Sequence, residues 1–500
     1  MRQLLTLTLF MNVVACSTSA GDEEALPGAT TGGASSDGGS AGAPPDSTTG
    51  GASGGGGHGR EPPVLGCSTI RTPAADWYVG PDGRSDAAGT RTDPLSLPHA
   101  LSPEGPVRPG HRVEMLGGVY TGRFKSELDG TAEAKIVFAA EPGARVTLDL
   151  NVPGDPDKGF VIEGSWTEFH GLEITHSGTD REEKPGGVEI FGANTRLVNS
   201  VIHDTLQGIG FWSTAVDATV YGNVIYNNGV EGPTRGHGHA IYTQNAQGTK
   251  HIANNIIFFG FGYGIHVYTE TGSIQGFDIS RNVWFRTGAS RPGESSVGTS
   301  EGCLVGGLQP VDRVRLIGNH SWGPEPSARN LTLGWGGEVQ NRTVTLIDNY
   351  FIGRAGAQGL WESGTFEGNV FHGELSGIDP NDYPDNTWSS SLPTDERVVL
   401  QRNDDDPGRV DIIAYNWSLA DHVEVDLEGL LPDGAPYEVF SVYDLWGAPV
   451  VSGTYAGMPF ALPMGSKPPP QPLGAPDAIQ GVDDPGKAFG VFILRTPCAL

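Results

Sequence analysis

The chain has 500 residues, 75 of them Gly and 37 Pro, with 8% aromatic residues and a formal net charge of −28 from 31 Lys and Arg against 59 Asp and Glu. An acidic balance with no basic patch excludes nucleic acid as a partner, and an anionic substrate would need local Arg, Lys or a bound cation to offset the repulsion. The glycine content and the lack of any sustained helical period argue against a helical domain and for a solenoid.

Residues 1–16, MRQLLTLTLFMNVVAC, combine one Arg, an apolar run and a small residue before Cys16. This reads as an export signal, too short to span a bilayer. Residues 13–16 resemble a bacterial lipobox, which implies cleavage before Cys16 and lipid attachment there. An ordinary signal peptide is the other reading, and either one puts the mature chain outside the cytoplasm: lipid-anchored to the outer membrane, or secreted. Residues 17–64 are almost entirely Gly, Ser, Thr, Ala, Pro and Asp, too apolar-poor to order, and read as a flexible tether. The remaining ~435 residues can bury a large core. Cys67 opens that body and Cys498 nearly closes the chain. In an oxidising compartment they suit a disulfide, with Cys303 buried in a strand; free thiols are the alternative.

Residues 76–120 contain DWYVGPDGRSD, a GT-x-x-x-P segment, a short helix predicted around residues 95–101, a PGH turn and a strand ending in GGVY. This resembles the opening module of secreted bacterial right-handed parallel β-helix proteins of the pectate-lyase-like superfamily. The resemblance continues through GHGHAIYTQNAQGTKHIANNIIFFGFGYGIHVY and into RVDIIAYNW, covering roughly residues 70–500. It implies the fold strongly and the activity weakly, because that superfamily holds polysaccharide lyases, glycoside hydrolases, uronan epimerases, adhesins and tail-spike proteins.

The coils are punctuated by asparagines. Asn199, Asn223, Asn255, Asn282, Asn319, Asn349 and Asn369 each precede a small apolar run, at uneven gaps, as expected when strands stay in register and insertions bulge from the turns. Stacked Asn side chains can satisfy turn backbone groups coil after coil and tolerate a left-handed bend. Coils are expected over 65–378. A turn-rich connector, DPNDYPDNTWSSSLP, leads on at 379–394. Alternating runs over 395–500 suggest a small antiparallel β-sandwich. Asp404-Asp405-Asp406 is the one place the sequence offers to Ca2+, against the alternative of a solvated acidic turn.

Period-two alternation assigns chemistry to one wall. With Val188, Ile190, Ile209, Phe211, Ile241, Ile265 and Val267 inward, Glu189, Phe191, Trp212, Tyr242, Gln244, His266 and Tyr268 point outward on neighbouring coils. Such a ladder suits a sugar polymer, since aromatic faces stack on pyranose C–H groups while polar neighbours fix hydroxyls; the plainer reading is that the aromatics merely cover the sheet. The excursion GVEGPTRGHGHAIYTQN adds Arg235, His237 and His239 as a cleft wall. For β-elimination on a uronide, His239 or His237 would be the base, with His266 nearby, Tyr242 the proton donor and Arg235 the carboxylate neutraliser. Lys250 and Arg281 are reserves. His-x-His lacks a dependable third ligand, so no metal is assigned. Hydrolysis would need facing carboxylates from Glu189, Asp204 and Asp217, and an epimerase would use much the same set as a lyase. The sequence therefore reads as a monomeric extracellular polysaccharide-active protein, a lyase first, with hydrolase, epimerase and non-catalytic glycan binder or adhesin as alternatives.

Overall fold

A computed structural model describes residues 74–152, 158–231, 236–288, 302–475 and 484–496. The proposed signal and tether, Cys16, Cys67, Cys498 and Arg235 lie outside the described residues. From Trp77 onward each coil contributes a strand in turn to three parallel sheets. Sheet 1 has eleven strands, from Trp77–Arg84 to Leu360–Glu367; sheet 2 has eleven, from Gly118–Thr121 to Thr387–Ser389; sheet 3 has ten, from Phe124–Ser126 to Leu375–Ser376. The expected short helix forms at Leu97–Ala100 and buries Leu97 and Ala100.

The alternation in the sequence explains the core. Leu197, Val220, Ile252, Ile279, Leu316 and Leu346 pair in register down sheet 1, and all are fully buried. Val188, Ile209, Ile241, Ile265 and Cys303 form the matching column of sheet 3. Each such side chain withdrawn from water contributes roughly 1.5–3 kcal/mol. Cys303 is buried in a strand, as its surroundings in the sequence predict.

The asparagine ladder forms, with one correction. Asn255, Asn282, Asn319, Asn349 and Asn369 each accept from the backbone and side-chain amides of the preceding rung, as in Asn223 N to Asn255 Oδ1 at 3.0 Å and Asn282 N to Asn319 Oδ1 at 3.0 Å, and Asn223 accepts from the backbone alone. Asn199 is one residue out of step. Ser200 holds the rung before Asn223, and Asn199, at φ 50°, turns outward to Asn403. At the far end Asn386 adds a rung within the segment read as a connector, where Thr387–Ser389 is the last strand of sheet 2.

The C-terminal part is a five-stranded antiparallel sheet (Arg397–Arg402, Arg409–Tyr415, Phe489–Arg495, Pro436–Ser441, Val451–Thr454) facing a two-stranded one (His422–Val425, Phe460–Pro463), as a β-sandwich requires. Alternation along Arg409–Tyr415 explains its two apolar faces. Val410, Ile412 and Ala414 face the two-stranded sheet, whereas Ile413 and Tyr415 pack with Phe489 and Val491 on the outer face of sheet 2, against Phe258, Phe285, Trp322 and Tyr350. The stretch of sheet 2 from Val201 to Ile352 is thereby covered.

The acidic turn joins the two parts. Asp405 binds Arg196 at 2.6 Å, Asp404 pairs with Arg281, and the Asp404 N–H donates to the Tyr221 hydroxyl at 2.6 Å. Two of the three carboxylates are thus matched to solenoid arginines, and no metal-holding group of His, Cys, Asp or Glu occurs among the described residues. Arg281 belongs to this junction, at the corner between sheets 1 and 2, and not to the proposed sugar face.

Candidate functional site

Sheet 3 carries the predicted ladder on its outer face. Pairing aligns Glu189 with Gly210, Gly210 with Tyr242, and Tyr242 with His266, so Glu189, Tyr242 and His266 share one column. Trp212 is off that column by two residues. The rung it was expected to fill is Gly210, whose missing side chain is the reason the indole can fold across. A Cβ there would lie 2.1 Å from Glu189 Oε2 and 2.9 Å from Trp212 Nε1. The indole N–H donates to the Glu189 carboxylate.

Aromatic rings run along the wall. Phe191 stacks on Trp212 at 6.0 Å, Trp212 meets Tyr242 edge-on at 5.7 Å, Tyr242 lies 5.6 Å from His266, and His266 stacks on Tyr268 at 4.9 Å. All these rings except His266 are partly exposed, as is Gln244 beside them. Tyr263, which the sequence reading did not single out, stacks on the other side of His266 at 4.4 Å. Its signal was available: the repeat of aromatic and Gly in FGFGYGIHVY places a ring three residues before His266.

The histidines are arranged by the backbone. The Tyr263 N–H donates to His239 Nδ1 at 3.1 Å, which leaves the proton of that ring on Nε2. His239 Nε2 then faces His266 Nδ1 at 3.1 Å, so it donates and His266 accepts. The neutral His266 ring carries its own proton on Nε2. Both nitrogens of His239 are used in these two bonds, so in this arrangement the ring orients His266. His237 lies on a two-pair hairpin, Val230–Glu231 with Gly236–His237, and is partly exposed.

Lys250 lies behind the wall and not on its outer face. Its side chain is fully buried in the solenoid, donating to the carbonyls of Phe211 at 2.8 Å, Gln244 at 3.0 Å and Trp212, with the ammonium 4.1 Å from the Phe211 ring. Burial pushes its pKa well below the usual lysine range. It braces the wall from behind. The carboxylates needed for hydrolysis do not converge. Glu189 is held by Trp212. Asp217 caps the Thr249 N–H at 2.7 Å, and Asp204 belongs to a separate buried cluster.

That cluster was not legible in the sequence. Its Glu173 is gripped by Arg145 at 2.6 and 2.7 Å, by Thr147 at 2.5 Å and by His203 Nε2 at 3.1 Å, while His203 Nδ1 meets Asp204 at 2.9 Å. Burial opposes charge on each, but the paired partners prevail: His203 is raised to about 9 by Asp204 and Glu173, and Glu173 is lowered to about 2 by His203, Arg145 and Thr147.

Residues 77–330 match the family described as Pel9A-like, right handed beta helix region. The chain is 30% identical over 129 residues to Pectate lyase L of Thermoclostridium stercorarium, across 25% of this chain, and spans only 9% of that protein's length. It is 23% identical over 396 residues to Pectate lyase L of Dickeya chrysanthemi, across 73% of this chain and 83% of that one. Among solved structures it is similar to pectate lyase Pel9A, at 18% identity over 71% of this chain and 87% of that chain, with a TM-score of 0.40.

Proposed function

Because this chain belongs to the Pel9A-like right-handed β-helix family, we propose that it is an extracellular polysaccharide lyase that cleaves a uronic-acid-containing glycan on the outer face of sheet 3. The observation that carries the reading is the single wall of Phe191, Trp212, Tyr242, His266 and Tyr268, partly exposed apart from its histidine, within the span matched to that family. Sugar rings stack on the Phe191, Trp212 and Tyr268 faces, with Gln244 beside them. His266 presents an N–H at Nε2 and, with Arg235, binds the uronate carboxylate, which stabilises charge developing at C5. His237, on the hairpin and partly exposed, takes the C5 proton. The electron pair of that C–H bond forms the C4–C5 double bond, the C4–O4 bond breaks, and Tyr242 delivers a proton to the departing O4.

Product analysis with polygalacturonate and alginate tests this. A new ultraviolet-absorbing unsaturated uronide is expected from the wild type, with His237→Ala and Tyr242→Phe lowering kcat by about 10²–10⁴-fold while glycan retention persists. Reducing ends without that absorbance would identify hydrolysis, and retention without turnover a binding protein; either would overturn the proposal. Anchoring through a lipid on Cys16 belongs to the same reading and is checked by mass spectrometry of the mature N-terminus.

A further inference from the structure

Arg181 is a buried arginine, 6% exposed, in the loop before strand Gly186–Ile190. Its guanidinium binds oxygens from three separate segments. Nη2 donates to Asn227 O at 2.6 Å, Nε to Gly229 O at 2.9 Å, and Nη1 to both Leu473 O at 2.7 Å and Asp204 Oδ1 at 3.2 Å. The same group lies 4.5 Å from the centre of the Phe261 ring.

Two of these contacts, with residues 227–229 and with Phe261, lead toward the histidines. Residues 227–229 are the corner from which the hairpin bearing His237 departs, and the hairpin's two residue pairs are too few to hold its position alone. Phe261 precedes Tyr263, whose N–H fixes the His239 tautomer, by two residues. The backbones here are in close contact: a Cβ on Gly236 would lie 1.7 Å from Phe261 O, and one on Gly262 would lie 1.8 Å from Gly238 O.

Leu473 belongs to the proline-rich segment 467–475 of the C-terminal part, which runs back over the solenoid. Its Leu473 N–H donates to Asp204 Oδ1 at 2.7 Å, its Pro470 carbonyl accepts from Asn227 Nδ2 at 2.7 Å, and a Cβ on Gly474 would lie 1.9 Å from Thr179 O. Arg181 therefore ties the solenoid loop, the hairpin's base and a segment contributed from nearly 300 residues downstream at one point.

We propose that Arg181 is a positioning residue, and that it and the 467–475 segment form a latch through which the C-terminal β-sandwich sets the geometry of His239, His266 and the His237 hairpin. The inference rests on the lyase reading only for its kinetic consequence. Arg181 touches neither the ladder nor any sugar bound there; it acts through residues 227–229 and Phe261. Arg181→Lys keeps the charge but loses the fork that reaches four oxygens at once.

The test uses the full-length protein with Arg181→Met, Arg181→Lys and Asn227→Gly, the last keeping the left-handed corner at φ 53° while removing the bond to Pro470. Long-range proton–nitrogen spectra of the imidazoles, assigned with His239→Gln and His266→Gln, report the tautomers directly. In the wild type both rings should be neutral with the proton on Nε2. Arg181→Met should abolish that pattern and lower kcat on polygalacturonate by about 10²-fold with little change in KM. Arg181→Lys should restore part of both, and Asn227→Gly should show a smaller shift in the same direction. An Arg181→Met protein that folds by circular dichroism and keeps both the tautomer pattern and kcat overturns the latch; if it does not fold, an unchanged pattern and kcat in Asn227→Gly does so. If the wild type cleaves no uronan, the lyase reading fails and the spectra alone decide the latch.

Discussion

The smallest unit that holds this solenoid together is one asparagine side chain per coil. Asn255 accepts from Asn223 through both its backbone and side-chain amides, and donates to Val220 O at 3.0 Å and Asn282 Oδ1 at 2.9 Å. Asn255→Ala would leave several buried groups unmet and should destabilise by about 2–4 kcal/mol. Asn386→Ala, at the open end of the ladder, should cost less than half as much; urea titration of both checks the order. The recurrence of Asn was visible in the sequence, but its phase was not. Asn199 precedes an apolar run like the others, and only the hydrogen bond from Ser200 N to Asn223 reveals the one-residue offset. At the same scale, His203 makes stability pH-dependent. Its folded pKa of about 9 lies above the unfolded value of 6.5, so its contribution is complete below about 6.5 and is lost as pH rises through about 9. Glu173, lowered from 4.5 to about 2, contributes above about 4.5 and loses that contribution as pH falls through about 2. The melting-temperature gap between wild type and His203→Asn should therefore be larger at pH 6 than at pH 10.

At the scale of elements, sheets 2 and 3 share a pleat but differ in what lies over them. From Val224 to Ile352 the outer rows of sheet 2 are largely apolar and carry rings stacked one per coil, Tyr226 on Phe258 at 5.0 Å and Phe258 on Phe285 at 5.1 Å, and the β-sandwich covers them. The outer row of sheet 3 mixes rings with Glu and His. Alternation made the parity of sheet 3 legible, and Glu189, Tyr242 and His266 fall on one column. What alternation does not encode is where an outward side chain goes once a neighbour is missing, as at Gly210, or which turn residue a distant strand will bind, as with Asp404 and Asp405. Docking rests on a buried pair, Arg409 with Asp411 at 2.8 Å. Arg409 also donates to Gly222 O at 2.8 Å, and Asp411 accepts from Asn254 at 3.2 Å. Arg409→Leu strands that carboxylate and should cost about 3–5 kcal/mol. Calorimetry should then separate one transition into two, the sandwich melting first.

For the molecule as a whole, the solenoid and sandwich were legible from repeats and turn spacing, while the joint between them was not. Contacts such as Arg181 with Leu473, or Asn199 with Asn403, link residues hundreds of positions apart and leave no local periodicity to read. The candidate site divides along the same line. Its wall is local and was anticipated, whereas the tautomers of His239 and His266 follow from a backbone N–H one coil away. The apolar cover on sheet 2 predicts that the Trp322→Ala protein, which weakens that cover, loses thermal stability more than it loses glycan affinity, with Trp212→Ala the reverse; melting curves and affinity electrophoresis read the two effects separately.

Parallel strands impose a fixed rise of about 4.8 Å per turn of the solenoid. The wall of sheet 3 is therefore a ruler graduated in whole coils: extra residues at a corner thicken its rim but cannot move its marks. Lengthening the reach of this surface along a polymer requires inserting a complete turn, and the added length then comes in a single indivisible step.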